Sequence, residues 1–188
     1  MDYAWIEVSQ EVMRDVEIYS VSINSVHDDV AINIDNIPST YNATVEDADG
    51  NIINSYKFGE TINFRRSGDT FFRIIYSPAL PNGPTAISGN LLPEDQYYVS
   101  SSESEELYFE RLFYELNRSY FSNYTDLKKK INLPNRVDFG FIVNFNDKQI
   151  RAVNNIPDGL EVLSRSDRVE SMRNSSKREY AELTVLVW

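Results

Sequence analysis

Between Val137 and Phe145 the chain reads V-D-F-G-F-I-V-N-F. Val137, Phe139, Phe141, Val143 and Phe145 fall in one phase, and Asp138, Gly140, Ile142 and Asn144 in the other. Strand side chains alternate between faces, so this segment predicts a strand with one apolar and one mostly polar face. Such a face needs a covering layer. Phe109, Leu112, Phe113, Leu116 and Tyr120 recur at spacings of three and four, which predicts an amphipathic helix to supply it.

The same reading extends along the chain. Trp5, Val8, Val12 and Val16 form a helical stripe over 2–15 that runs into a strand over 16–26. Val30, Ile32 and Ile34 alternate with Ala31, Asn33 and Asp35 up to Pro38, as a strand does. Segments 41–46 and 52–58 flank Asp47-Ala48-Asp49-Gly50-Asn51, a hairpin with Gly50 placed for positive φ. Short strands are predicted over 61–64 and 70–76. Segment 77–102 carries Pro78, Pro81, Pro84, Pro93, Gly83 and Gly89, and reads as a linker or long surface loop. Ser102-Glu103-Ser104-Glu105 has a capping-box pattern, so the covering helix is expected over about 103–121. A short helix over 125–131 follows, stopped by Leu133-Pro134. Strands are then predicted over 149–153, 161–170 (an edge or exposed strand) and 181–187.

The expected fold class is therefore α+β and β-rich. An N-terminal antiparallel sandwich or meander over 1–99 carries a short entry helix. Residues 100–188 form a helix packed on a four-stranded antiparallel sheet. The length of 188 residues allows either two units or one compact unit.

Composition narrows the function classes. The 41% hydrophobic and 13% aromatic content is that of a folded protein. A net charge of −11 disfavours nucleic acid, which needs clustered cations on phosphates. Lys128-Lys129-Lys130 reads as a solvated helix face. Without cysteine there are no disulfides, thiolate metal sites or cysteine nucleophiles. No apolar run reaches the ~20 residues that span a bilayer as a helix.

The candidate chemistry is thin. His27, the one histidine, lies beside Asp28 and Asp29 and reads as a turn residue. Glu46, Asp47 and Asp49 before Gly50 resemble a calcium loop, but aligning Gly50 with the invariant glycine puts Val45 first and Tyr56 twelfth. The hairpin reading stands instead. Glu103, Glu105 and Glu106 fit acids at a helix N-terminus better than an acid–base pair. Arg165, Arg168, Arg173 and Arg178 are expected to pair across strands with Asp167, Glu170, Glu179 and Glu182. No catalytic residue, metal ligand or cofactor is assigned, and the chain is expected not to be an enzyme. Tyr97 and Tyr98 are the candidate surface-binding pair. The N-x-[ST] sequons at Asn42, Asn117, Asn123 and Asn174 are candidate glycosylation acceptors.

One resemblance adds to this. Asn123-Tyr-Thr-Asp-Leu127, Leu133-Pro134, Val137-Asp-Phe-Gly-Phe141, Val162-Leu-Ser-Arg-Ser-Asp-Arg-Val169 and Ala181-Glu-Leu-Thr-Val-Leu-Val-Trp188 together resemble archaeal type IV pilin-like surface proteins made with a class III signal peptide. The resemblance covers mainly 123–188. It implies an extracytoplasmic, β-rich head without cofactor or active site, commonly N-glycosylated and acting in filament assembly or adhesion. Its implied partners are other pilin-like subunits or surface proteins, and glycans. The hydrophobic helix and processing site of such proteins are not in this chain, so the resemblance implies a longer, anchored form. The alternative is a free-standing carbohydrate- or protein-binding module.

Overall fold

The computed structural model describes residues 1–24, 30–34, 42–56, 62–66, 70–77, 87–89, 96–99, 103–173 and 178–188. The chain is β-rich and α+β, with three helices among the described residues. In chain order the elements are α1 (Asp2–Val12), β1 (Met13–Asn24), β2 (Val30–Ile34), β3 (Asn42–Asp47), β4 (Ile52–Tyr56), β5 (Ile62–Arg66) and β6 (Thr70–Ser77). They continue with β7 (Ile87–Gly89), β8 (Gln96–Val99), β9 (Glu103–Phe109), α2 (Glu110–Ser122), α3 (Tyr124–Lys130), β10 (Phe139–Asn144), β11 (Gln149–Ala152), β12 (Leu163–Met172) and β13 (Arg178–Val187). The chain divides into two compact units.

The first unit contains Met1–Arg14, Leu107–Asn174 and Arg178–Trp188. Its strands run in the order β11-β10-β13-β12-β9. Neighbours are antiparallel except β12 and β9, which pair in parallel at Ser171↔Tyr108 and Met172↔Phe109. This sheet is therefore mixed. The apolar phase of β10 meets that of β13 in register, Phe141 opposite Val185 and Val143 opposite Leu183. All four side chains are fully buried.

The helices cover this face as their periodicity requires. Trp5, Val8 and Val12 of α1, Leu112, Phe113, Leu116 and Tyr120 of α2 and Leu127 of α3 join the strand residues in one core. Burying an aromatic or large aliphatic side chain stabilises by about 1.5–3 kcal/mol, so these stripes hold the helices in place. Aromatic geometry refines the fit: Tyr120 meets Phe139 edge-on at 5.4 Å and Phe113 meets Phe145 edge-on at 6.2 Å.

Two sequence expectations are corrected here. The covering helix begins at Glu110, because 103–109 is strand β9. Glu103, Ser104 and Glu105 of the capping pattern lie in β9 rather than at a helix start, Ser102 lies outside the described residues, and Phe109, at the N-cap of α2, makes no side-chain cap bond. Segment 77–102 is not simply a loop, since β7 and β8 lie within it. Short strands between proline-rich stretches carry too little periodicity to be seen beforehand. A smaller shift concerns α1, which ends at Val12, so Val16 belongs to β1.

The second unit contains Asp15–Glu106 and Ser175–Lys177. Strands β1, β6, β3 and β4 pair in that order, all antiparallel, and β8 also pairs with β1. A separate three-stranded sheet has the order β5-β2-β7. Alternate residues of the larger sheet, among them Tyr19, Val21, Ile23, Val45, Phe72, Ile74 and Tyr76, form the unit's core. Glu46 is fully buried opposite Arg73, whose Nε lies 3.0 Å from its carboxylate. The hairpin between β3 and β4 matches its sequence: Gly50 has φ +80° and its N–H donates to the Asp47 carbonyl at 3.1 Å.

Candidate functional surfaces

The tyrosine pair predicted for surface binding lies on β8. Tyr97 stands opposite Ile23 and Tyr98 opposite Ser22 of β1. Tyr98 is 58% exposed, and its hydroxyl donates to Gln96 Oε1 at 2.8 Å. It therefore presents an apolar ring with its polar tip oriented by a neighbour.

The sequons fare differently. Asn42 is the first residue of β3, opposite Ser77. Asn117 lies mid-α2, half-buried, and its Nδ2 donates to the Arg151 carbonyl at 2.9 Å. That bond ties α2 to β11, and a glycan on the same nitrogen would compete with it. Asn123 is exposed at the α2–α3 junction and caps α3, accepting from the Asp126 N–H and donating to its carboxylate. Asn174 and His27 lie outside the described residues.

The acid clusters singled out from the sequence have structural roles. Asp47 Oδ1 accepts from the N–H groups of Asp49 and Asn51, at 3.0 and 2.9 Å. Its carboxylate closes the hairpin turn. Glu105 and Glu106 lie on β9 rather than on a helix. Among the described residues no group of three or more His, Asp or Glu is placed to hold a metal ion.

A charge cluster with members from four places in the chain was legible in the sequence only at its Arg173–Glu179 pair. Glu110, first in α2, is buried and receives Arg173 Nε at 2.7 Å and Lys148 Nζ. Arg173 also forks onto Asp147, at 2.9 and 3.1 Å, and bonds Glu179. Its guanidinium lies 4.8 Å from the Phe145 ring centre. The Arg173 bond holds the Asp147 carboxyl below its ordinary value, and the Glu110 bond raises Lys148. Every cation and carboxylate here has a partner, so the cluster is a closed brace. Of the predicted cross-strand pairs, Arg178–Glu170 (3.4 Å) and Arg173–Glu179 form. Arg165 bonds Asp167 on its own strand, and Arg168 stacks on Tyr180 at 4.0 Å.

A second polar cluster sits under α2 and α3. The Tyr120 hydroxyl donates to the Phe139 carbonyl at 2.8 Å and accepts from the Asn154 N–H at 3.0 Å. Tyr124 bonds Asp138 Oδ1, and Lys128 reaches the same oxygen at 2.9 Å. Burial pushes both phenols above their ordinary value, so they remain protonated donors.

Two concavities open on the first unit. An apolar groove of about 490 Å³ is lined by Met1, Tyr3, Leu133, Val137, Leu163 and Trp188, among others. A polar cleft of about 310 Å³ lies among the three helices, with Glu11, Arg14, Glu115, Asp126 and Lys130 on its walls. Beside the groove, β12 is paired with β13 throughout. On its other side, among the described residues, it meets β9 only at Ser171 and Met172. Among the described residues, the edge from Leu163 to Val169 has no strand paired on that side.

No helix among the described residues is long and apolar enough to cross a membrane. No family model matches the chain, and neither a curated protein nor a solved structure is significantly similar to it.

Proposed function

We propose that this chain works by contact rather than by turnover, as the extracytoplasmic head of a pilin-like cell-surface subunit acting in filament assembly or surface adhesion. The observation that carries the reading is the seating of α1. Its stripe of Ala4, Trp5, Val8 and Val12 is buried in the core over the C-terminal strands, and Met1, Tyr3 and Ala4 line the apolar groove. The resemblance, carried mainly by 123–188, implies a hydrophobic N-terminal helix that precedes a β-rich head, and an α1 seated on a β-rich unit supports that arrangement. In this reading a hydrophobic helix leads into α1 in the full-length, anchored form. The partners are other pilin-like subunits or surface proteins, the location is extracellular, and the two sheets of the second unit make a sandwich. The chain is read as non-enzymatic and without cofactor, with Asn42, Asn123 and Asn174 as the preferred glycan acceptors.

The test is to read the natural gene upstream of Met1 and weigh the protein in native membranes. An in-frame apolar segment of about 20 residues behind a short basic leader supports an anchored subunit. A protein of the chain's own mass, recovered from the cytosol, sinks it.

Tyr98 favours a second reading, a free-standing carbohydrate- or protein-binding module. An exposed ring with a fixed hydroxyl suits stacking on a sugar. Binding on a glycan array that disappears in Tyr98→Ala would favour this module over a pure scaffold.

A further inference from the structure

The open edge of β12 is self-complementary. It reads Leu163-Ser-Arg165-Ser166-Asp167-Arg168-Val169. The odd positions share the face that carries the core, on which Arg165 lies 4.9 Å from the Trp5 ring centre and Val169 is buried. Arg165 and Asp167 remain 39% and 46% exposed, and Leu163 is 49% exposed. A row of unpaired backbone N–H and C=O groups on such an edge is a template for another strand.

We propose that this edge is a homodimer interface, in which β12 pairs antiparallel with β12 of a second copy about a two-fold axis at Ser166. The register follows from face and charge. If both copies keep their core-bearing faces on the same side, paired residues must share parity. Of the centres that parity allows, Arg165, Ser166 and Asp167 are the three that keep most of the span from Leu163 to Val169 paired. Centring on Arg165 or Asp167 sets that residue against its own copy, which repels. Centring on Ser166 sets Arg165 against Asp167 of the second copy, twice, and Leu163 against Val169. The span from Leu163 to Val169 maps onto itself and stops short of the residues that pair with β9. Charges on an edge usually keep strands apart. Here the same charges reject the other registers and favour this one. The interface is isologous, as closed dimers require, and the groove lined by Tyr3 and Leu163 lies at its border.

Sedimentation equilibrium from about 1 to about 500 μM tests this, since a single strand pairing is a small interface and should bind weakly. The expected result is monomer at the low end and predominantly dimer at the high end, with less dimer at high salt. Asp167→Arg and Arg165→Asp each set like charges across the axis and should weaken dimerisation at least tenfold. The double swap Arg165→Asp/Asp167→Arg should restore it. Circular dichroism confirms that each variant is folded. Because Arg165→Asp also loses the Trp5 contact, amide exchange supplies an independent readout. Backbone N–H groups of 163–169 should gain protection as the wild-type concentration rises. A chain that stays monomeric throughout, a dimer that Asp167→Arg leaves intact, or edge amides insensitive to concentration would overturn the proposal. So would a folded double swap that stays monomeric.

Discussion

Arg173 and Glu110 meet at 2.7 Å, Nε to Oε2, across a sequence separation of 63 residues. Their side chains are only 10% and 3% exposed. The contact joins the end of β12 to the start of α2, so the helix over the sheet is fixed electrostatically as well as by its apolar stripe. Lys148 on the same carboxylate draws in the β10–β11 turn. Removing one member of a buried pair strands the other charges, which typically costs about 3–5 kcal/mol. Glu110→Ala should therefore lower stability by about 3 kcal/mol in urea unfolding. Glu115→Ala is the control one turn on. Its pair with Arg111 is 3.8 Å long and largely exposed, and the loss should stay under about 1 kcal/mol.

Acid should act through the same brace. The Asp147 carboxyl is held below its ordinary 3.8, chiefly by the Arg173 hydrogen bond, and Asp126 is held low first by Asn123 and then by Lys129. A folded-state value below the unfolded one means that the unfolded chain takes up protons first as pH falls. The contribution is then complete above the ordinary value and lost as pH drops through the folded one. Urea midpoints of the wild type between about pH 5 and about pH 2 should fall more steeply than those of Asp147→Asn. Equal slopes would show that Asp147 takes no part in the acid limb.

Periodicity made the first unit's layers legible because it reports which face is buried. The stripes of α1 and α2 and the apolar phases of β10 and β13 all enter one core. The start of α2 lies later than the sequence implies because Ser102–Glu105 carries a good local cap signal, whereas Glu103 to Glu105 belong to a strand. Local hydrogen-bonding preference there yields to the place of β9 in the sheet, between β12 and β1. The Glu110 brace had no local signature. Its partners sit 38 and 63 residues away, a juxtaposition that only the tertiary fold creates. The open edge of β12 was partly readable, since polar residues in both phases of 161–170 marked an edge or exposed strand. Which side lacked a neighbour needed the sheet order.

Two glycines should respond to alanine for opposite reasons. A Cβ on Gly140 would lie 2.9 Å from the Ala152 carbonyl oxygen and 3.1 Å from Val153 Cγ2, so β10 and the end of β11 must part. Gly140→Ala should cost about 1–3 kcal/mol, as overpacking does. At Gly50 a Cβ meets nothing within 4 Å, and the cost arises from its φ of +80°. Gly50→Ala should cost about 1 kcal/mol, the penalty of a left-handed conformation. Asparagine separates the causes. It should recover part of the loss at position 50, where it tolerates positive φ, and deepen the loss at position 140. Chemical denaturation of the four variants reads both.

The Tyr120 hydroxyl carries a bond that its ring does not. The ring packs edge-on against Phe139, Phe141 and Tyr124, with centres 5.4, 6.3 and 4.9 Å away, and phenylalanine would keep these contacts. The hydroxyl alone bridges the Phe139 carbonyl to the Asn154 N–H. Phe139 O keeps only a share of the one Tyr124 hydroxyl proton, at 3.3 Å, which also serves Asp138 Oδ1, and the group left wholly without its partner in Tyr120→Phe is the Asn154 amide. An unmade bond at a part-buried amide costs about 1 kcal/mol. Tyr120→Leu should cost more, by about 1 kcal/mol for each lost ring pair. Amide exchange at Asn154 should speed up in Tyr120→Phe while the amides of β10 keep their protection. An unchanged Asn154 rate would show that the segment after β11 is held by something other than this hydroxyl.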